Sequence, residues 1–339
     1  MNNFKSKESK LKLADKYCIF VCNYLEISNT SMKVVNGLKN YKAKKTAQLT
    51  IGTFDGVHIG HQKIIKNLVA EAKENNRISI ILTFFPHPRM VLQTETSLKL
   101  IDSMEEKKEL FQALGVDVLI IHPFSKDFSR LTALEFTREV LVDQLHVSKL
   151  VIGHDHRFGR NREATVADLV VLGQNFQFDI EVITAQTIAS IAVSSTKIRK
   201  AVLENDYDRV QKYLGRPFQL SGNVVKGQQL GKTLNFPTAN INVIESYKLL
   251  PTQGVYWINA NLNGQSLYGM MNIGTRPTVE GKNQTIEVHF FKFNGSLYDQ
   301  YITVNVLKKI REEQKFDSLK SLKDQLDKDK KQCEELSIN

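Results

Sequence analysis

The chain has 339 residues, 42% of them hydrophobic and 24% charged, an ordinary globular composition with apolar length for two cores. Its net charge of +10 argues less for nucleic-acid binding than it first suggests. Residues 1 to 50 hold ten lysines against three acids, a basic leader rather than a charge spread along a folded face. The three cysteines, Cys18, Cys22 and Cys333, describe neither a disulfide framework nor a zinc site, which fits a reducing cytoplasm, and no segment is long enough to span a membrane.

The apolar run Tyr17 to Val21 follows several lysines, but it is too short for a signal peptide and no cleavage pattern follows. From residue 49 to about 205 apolar strands alternate with helical patterns, the order that builds a parallel sheet with right-handed crossovers. The spacing predicts strands at Leu49 to Ile51, Ile78 to Phe84, Val116 to Ile121, Leu150 to Ile152 and Phe178 to Ile183. Ile64, Ile65, Leu68, Val69 and Ala72 mark one helical face, while Ser103 with Glu106 and Thr132 with Glu135 have capping-box spacing. Unusual residues gather after each strand: Gly52 to His61, then Pro86-His87-Pro88-Arg89, His122-Pro123-Phe124, Gly153 to Arg160, and Ser194 to Arg199. In an open parallel sheet the carboxyl ends of the strands form the ligand crevice, so five segments converge on one edge.

The first segment is the most informative. In Gly52-Thr53-Phe54-Asp55-Gly56-Val57-His58-Ile59-Gly60-His61 the glycines permit a tight turn and a close approach to a ligand. A helix starting near Ile59 sets His58 and His61 in its first turn, where free backbone N–H groups and the dipole favour an anion. Two histidines at this spacing are by themselves usually a structural pair; the glycine frame reverses that preference toward nucleotide phosphates. Zinc lacks a third ligand at helical spacing. In Ser194-Ser195-Thr196-Lys197-Ile198-Arg199 the hydroxyls open a helix and Arg199 lies one turn beyond Ser195, a phosphate cradle that in isolation reads equally well as an N-cap before a solvated basic face.

After Tyr213-Leu214-Gly215-Arg216-Pro217 the texture changes to short β-rich runs: Gly222 to Val225, Val255 to Leu262, Leu267 to Ile273, Thr285 to Phe293 and Tyr301 to Leu307. Asn263-Gly264 and Asn294-Gly295 signal hairpins, so the second domain is expected to be a small β-barrel closed by a helix from about Ser318 to Lys328. Gly227 to Thr233 has three residues between its glycines where a P-loop needs four, which rejects a Walker site. Thr238 and Asn240 would project the same way from a strand, a pattern that by itself usually marks a turn or a strand edge. Glu287, among Ile286, Val288, Phe290 and Phe291, is a glutamate in an unusually apolar strand.

The motif from Gly52 to Gln62 resembles the HxGH signature of nucleotidyltransferases in the longer form typical of the adenylyltransferase half of bifunctional riboflavin kinase/FAD synthetases. Ser194 to Arg199 resembles the SSTxIR motif of the same enzymes, and Pro237-Thr238-Ala239-Asn240 the PTAN motif of riboflavin kinases. The resemblance covers about residues 32 to 330 and implies a Rossmann-like adenylyltransferase domain over 32–205, a riboflavin kinase barrel over 206–330 and a tail over 331–339. Residues 1–31, ahead of the family-like start at Met32, are expected to be dispensable. The implied substrates are ATP, riboflavin and FMN, with Mg²⁺ as the metal and small molecules, not nucleic acid or membrane, as partners. Residue by residue it implies phosphate binding by Gly52, Thr53, Phe54, Asp55, Gly60, Ser195 and Thr196 and catalysis by His58, His61 and Arg199. Pro86, His87, Pro88 and Asp155 become flavin or substrate contacts. In the barrel it implies Gly227, Gly231 and Lys232 on the nucleotide, Thr238 and Asn240 on the metal, Glu287 as the base, and Arg311 and Glu313 at the flavin.

Five departures bear on fine specificity: His156 in place of an aromatic residue, Ala164 and Thr165 in place of Gly-Asp, Asn235 in place of a glycine, and Gln229 at a loop glycine. Asn tolerates left-handed geometry, so the Asn235 turn is expected to survive. Two other readings compete. One is a nucleotidyltransferase for a different acceptor with the barrel as a binding module, against which the Thr238/Glu287 pair argues. The other is a basic nucleic-acid-binding protein, against which the charge distribution argues.

Overall fold

The computed structural model describes residues 31–92, 97–153, 157–160, 163–183, 193–227, 230–262, 264–278 and 281–338. The leader over residues 1–30, Asp155, His156, Gln229 and Asn263 lie outside them. The chain divides into two compact units.

The first unit is built on a six-stranded, all-parallel sheet: β1 (Lys33–Asn36), β2 (Ala47–Ile51), β3 (Ile78–Phe84), β4 (Val118–His122), β5 (Val147–Gly153) and β6 (Asp179–Ile183), in the order β1-β4-β3-β2-β5-β6. All five expected strands are present; the edge strand β1, only four residues long, carries no periodicity that a sequence reading could use. Alternation sorts the core. Ile80 and Leu82 join Leu49, Leu150, Phe136 and Leu169 on one face, whereas Ile81 joins Leu119, Ile65 and Phe111 on the other. Helices α1 (Ile59–Glu74) and α2 (Met104–Ala113) supply Ile65 and Phe111; Leu169 lies on α3 (Val166–Phe176). Thr132 and Glu135 do form a capping box, and it opens into a π-helical stretch, Phe136–Gln144, that nothing in the sequence announced.

The second unit is a closed barrel preceded by α4 (Ser195–Leu203) and α5 (Tyr207–Leu214). Its strands are β7 (Phe218–Val225), β8 (Ala239–Asn242), β9 (Gly254–Leu262), β10 (Gln265–Thr278), β11 (Gly281–Phe290) and β12 (Tyr301–Arg311), ordered β10-β11-β8-β7-β12-β9. Leu262 pairs with Gln265, so β9 and β10 are antiparallel neighbours across the expected hairpin position, of which Asn263 lies outside the described residues. The hairpin expected at Asn294-Gly295 does not. Neither residue takes the positive φ a type I′ turn needs, and β12 pairs with β7 and β9 instead of β11. Here barrel closure, a long-range requirement, overrides a local turn signal. The final helix α6 (Leu319–Ile338) runs on past Lys328, and its buried Cys333 packs with Phe236, Val255, Met270 and Phe291. The expected tail over 331–339 is thus helical through Ile338 and part of the core. Asn235 takes φ +64, the left-handed geometry expected of it.

Candidate functional sites in the two units

In the first unit the strand order runs outward from β2 through β3 and β4 to one side, and through β5 and β6 to the other. The switch point is therefore between β2 and β5, where a parallel sheet opens a crevice at its carboxyl edge. A cleft of about 680 Å³ lies there, lined from four successive strand ends by Gly52 and Thr53, by His87, Pro88 and Arg89, by Phe124, Lys126 and Phe128 to Leu131, and by Arg157 to Gly159. Among the described residues the lining carries Arg89, Lys126, Arg130 and Arg157 and no carboxylate, a charge balance suited to a phosphorylated ligand, with Phe124 and Phe128 offering flat apolar surface beside it. Of these, Gly52, Thr53, His87, Pro88, Arg89, Phe124 and Arg157 to Gly159 fall in segments that the sequence nominated. Lys126, Phe128 and Arg130 follow β4 in a segment without a motif, and their one signal is position after a strand.

The turn from β2 into α1 is strained. Phe54 and Val57 have φ +47 and +35 on either side of Gly56 at +87. Such backbone costs on the order of 1–3 kcal/mol per residue. Burying the Phe54 and Val57 side chains, 5% and 0% exposed, returns about 1.5–3 kcal/mol each, so the core holds the turn in place. Asp55 is buried in the same turn, and Gly60 lies in the first turn of α1. His58 is the N-cap of α1: its Nδ1 accepts the His61 backbone N–H at 3.3 Å, which puts the proton of the neutral ring on Nε2. The two imidazoles stack with centroids 3.5 Å apart, and Phe54 packs edge-on against His61 at 5.2 Å. Desolvation, then His58, then Lys107 hold the His61 pKa well below that of free imidazole. Its Nδ1 is buried without a hydrogen-bond partner. Imidazoles at a helix N-terminus can donate to phosphate oxygens while the dipole supplies positive field.

Ser195, Thr196 and Arg199 belong to the other compact unit, on α4, where Ser194 is the N-cap and accepts the Lys197 N–H at 3.3 Å. The expected hydroxyl-to-arginine helix start is present, with the cap one residue earlier than Ser195. Sequence order alone had joined this motif to the α/β sheet.

In the barrel, strand register assembles most of the expected residues. Asn240 pairs with Glu287, Glu287 with Asn272, Asn272 with Val255, and Val255 with Arg311, one continuous row across β8, β11, β10, β9 and β12. Residues in one row share a face. Ile286, Val288 and Phe290 are buried on the alternate face, which leaves Glu287 half-buried beside two amides. Gly227 lies against Asn240, since a Cβ there would collide with its side-chain amide; Gly231 likewise abuts the Phe236 carbonyl and approaches Thr238. Lys232 is in the short helix Leu230–Thr233. The Glu313 carboxylate covers Gly274, next to Asn272. Asn272 is the member that sequence reasoning missed; its place two residues before Gly274, on the same face of β10, was the available signal. Arg311 is committed elsewhere: its Nε donates to both Asp329 oxygens at 3.0 Å and its Nη2 to Oδ2 at 2.8 Å, which ties β12 to α6. Among the described residues no group of three or more His, Cys, Asp or Glu could hold a metal, and no helix is long and apolar enough to cross a membrane.

Two family models match the chain, one described as FAD synthetase over residues 40–197 and one as riboflavin kinase over 214–337. Three proteins named bifunctional riboflavin kinase/FMN adenylyltransferase are similar over 88% of this chain and 96% of their own length. They come from Buchnera aphidicola subsp. Schizaphis graminum and Escherichia coli K12, each 36% identical, and from Pseudomonas fluorescens, 37% identical. A crystal structure from Streptococcus pneumoniae, titled as a macrolide-efflux protein, superposes with a TM-score of 0.78 at 28% identity and covers 91% of this chain and 99% of that one.

Proposed function

The chain belongs to the family of bifunctional riboflavin kinase/FMN adenylyltransferases, and we propose that each of its two transfers is carried by its own unit, phosphorylation by the row around Glu287 and adenylylation by the turn around His58 and His61. The observation that carries this division is that the two family models fall on two different architectures, the parallel sheet and the closed barrel.

In the barrel, the primary ribityl hydroxyl of riboflavin attacks the γ-phosphorus of ATP, its proton passes to a Glu287 carboxylate oxygen, and ADP leaves with FMN as product. Glu287 fits because its row supplies the Asn240 and Asn272 amides to orient the carboxylate. Thr238 and the Asn240 amide oxygen fit the few protein ligands that Mg²⁺ needs when it arrives on ATP, and the metal, when bound, neutralises phosphate charge. In the α/β unit a phosphate oxygen of FMN attacks the α-phosphorus of ATP and pyrophosphate leaves, forming the anhydride of FAD. No residue is acylated or phosphorylated; positioning and charge stabilisation are sufficient. His58 and His61 donate to the phosphate oxygens, and the cationic cleft beyond Thr53 receives the flavin nucleotide. We place both reactions in the cytoplasm, on the cysteine composition and on the demand of both for ATP.

The direct test is chromatography of flavins after incubating purified protein with riboflavin, ATP and Mg²⁺. FMN followed by FAD is the expected sequence, and a preparation that makes FAD only from supplied FMN would reduce the barrel to a binding module.

A further inference from the structure

Glu287 and His289 stand two residues apart on β11, so their side chains leave the barrel wall on the same face, opposite to that of Ile286, Val288 and Phe290. The pairing of β11 with β8 sets Glu287 against Asn240 and Val288 against Ala239, and there it ends, because β8 begins at Ala239. One step further along the same register, His289 comes opposite Thr238. At that step the histidine ring takes over from the ladder, with its Nδ1 2.9 Å from the Pro237 carbonyl oxygen. A carbonyl oxygen only accepts, so Nδ1 carries a proton and donates it.

The ring has little room to turn. His289 is 8% exposed, and Phe236 and Phe291 lie edge-on to it with centroids 5.1 and 5.9 Å away. Both phenylalanines belong to the apolar cluster that also holds Cys333 of α6, and β10 fixes the backbone of His289 from the other side by pairing it with Met270. The segment that the histidine holds is compact as well. The Gly231 carbonyl accepts the Leu234 N–H at 3.1 Å and the Phe236 N–H at 2.8 Å, so the loop closes on itself and meets β11 through the Phe236 ring and the Pro237 carbonyl. Thr238 is the next residue in the chain.

We propose that His289 is a positioning residue for riboflavin phosphorylation: by holding the Pro237 carbonyl it sets Thr238, and with it Asn240, at a fixed distance from Glu287. This rests on the reading that the Glu287 row carries that reaction. The histidine acts through Pro237 and not on the substrate; it ties the strand that bears the base to the segment that bears the residues for Mg·ATP.

The test compares side chains of different reach. Asn carries its amide nitrogen as many bonds from Cα as imidazole carries Nδ1, Gln carries it one bond further, and Leu has no donor. With riboflavin and Mg·ATP supplied, kcat for FMN in His289→Leu should fall by about ten- to a hundredfold, the range a displacement on the order of 1 Å produces, and KM for Mg·ATP should rise. His289→Asn should restore most of that loss, and His289→Gln should not. FAD formation from supplied FMN should keep the parent's rate in all three. A second readout needs no turnover: in protein without nucleotide or metal, hydrogen exchange at the Leu234 and Phe236 amides should quicken in His289→Leu and His289→Gln and stay slow in His289→Asn.

An unchanged kcat for FMN in His289→Leu overturns the inference, and so do equal rates in the Asn and Gln variants, which decide the matter alone should His289→Leu not fold. Equal loss of FMN and FAD formation would make His289 a structural residue only. Glu287→Gln separates the premises: normal FMN formation by that variant removes the reading of the row itself, whereas its collapse beside a fully active His289→Leu removes only the positioning role.

Discussion

The imidazoles of His58 and His61 lie face to face, 16° from parallel with centroids 3.5 Å apart, and the His58 ring accepts the backbone N–H of His61. Each ring therefore restricts the orientation of the other, and the charge on His58 adds to burial in lowering the pKa of His61.

Replacing either histidine by Ala removes a donor aimed at developing phosphate charge. FAD formation should fall by about 10² to 10³, with FMN accumulating from riboflavin at the normal rate. A flavin time course read by chromatography gives both numbers from one sample, and parallel loss of FMN and FAD formation in a folded variant would refute the division of labour.

Burial and the charges of His58 and Lys107 depress the pKa of folded His61, whereas the unfolded chain protonates it near 6.5, the ordinary value of the imidazole side chain. Below that pH the unfolded state binds more protons, so the stability contributed by a neutral His61 is complete above pH 6.5 and is lost as pH falls toward the folded pKa. His122 and His289, also depressed chiefly by desolvation, act in the same direction. Thermal midpoints measured from pH 7.5 down to 5 should decline, and the decline should be shallower in His61→Gln; identical slopes would mean that folded His61 takes up its proton freely.

Glu287→Gln keeps size and polarity but removes the base, so riboflavin phosphorylation should slow by about 10² to 10⁴ while supplied FMN still becomes FAD. Asn240→Ala should instead raise the Mg·ATP requirement as turnover falls. Gly227→Ala offers a steric counterpart, because its Cβ would displace the Asn240 amide. It should reproduce the Asn240 phenotype, and full kinase activity in Gly227→Ala would show that the Asn240 side chain has no fixed role.

Asp329→Ala leaves the Arg311 charge poorly compensated, with side chains only 15% and 2% exposed in the pair. Loss of one partner from a buried ion pair costs about 3–5 kcal/mol, whereas replacing both by apolar residues is close to neutral. Urea unfolding of Asp329→Ala and of Arg311→Met with Asp329→Leu should show that contrast. A single variant as stable as the parent would mean that α6 is held by the Cys333 apolar contacts alone.

The local motifs were legible in the sequence because their chemistry is local. A glycine turn before a histidine cap, alternating apolar strands and a Thr132–Glu135 box each depend on residues a few positions apart, and all are present as read. Reading Thr238, Asn240 and Glu287 as one site needed the family resemblance, since no local spacing joins residue 240 to 287. What only the tertiary structure decided is pairing at a distance. Barrel closure set Asn272 between Glu287 and Val255, drew Asn294-Gly295 out of a hairpin, and kept α6 ordered through Ile338. It also turned Arg311 toward Asp329 and assigned Leu100–Ser103 and Ser195–Leu203 to the barrel's unit. Spacing along a chain encodes which way a side chain points within one element. Which other element it meets is chosen by burial and hydrogen-bond satisfaction summed over the whole fold, and no short stretch of sequence contains that sum.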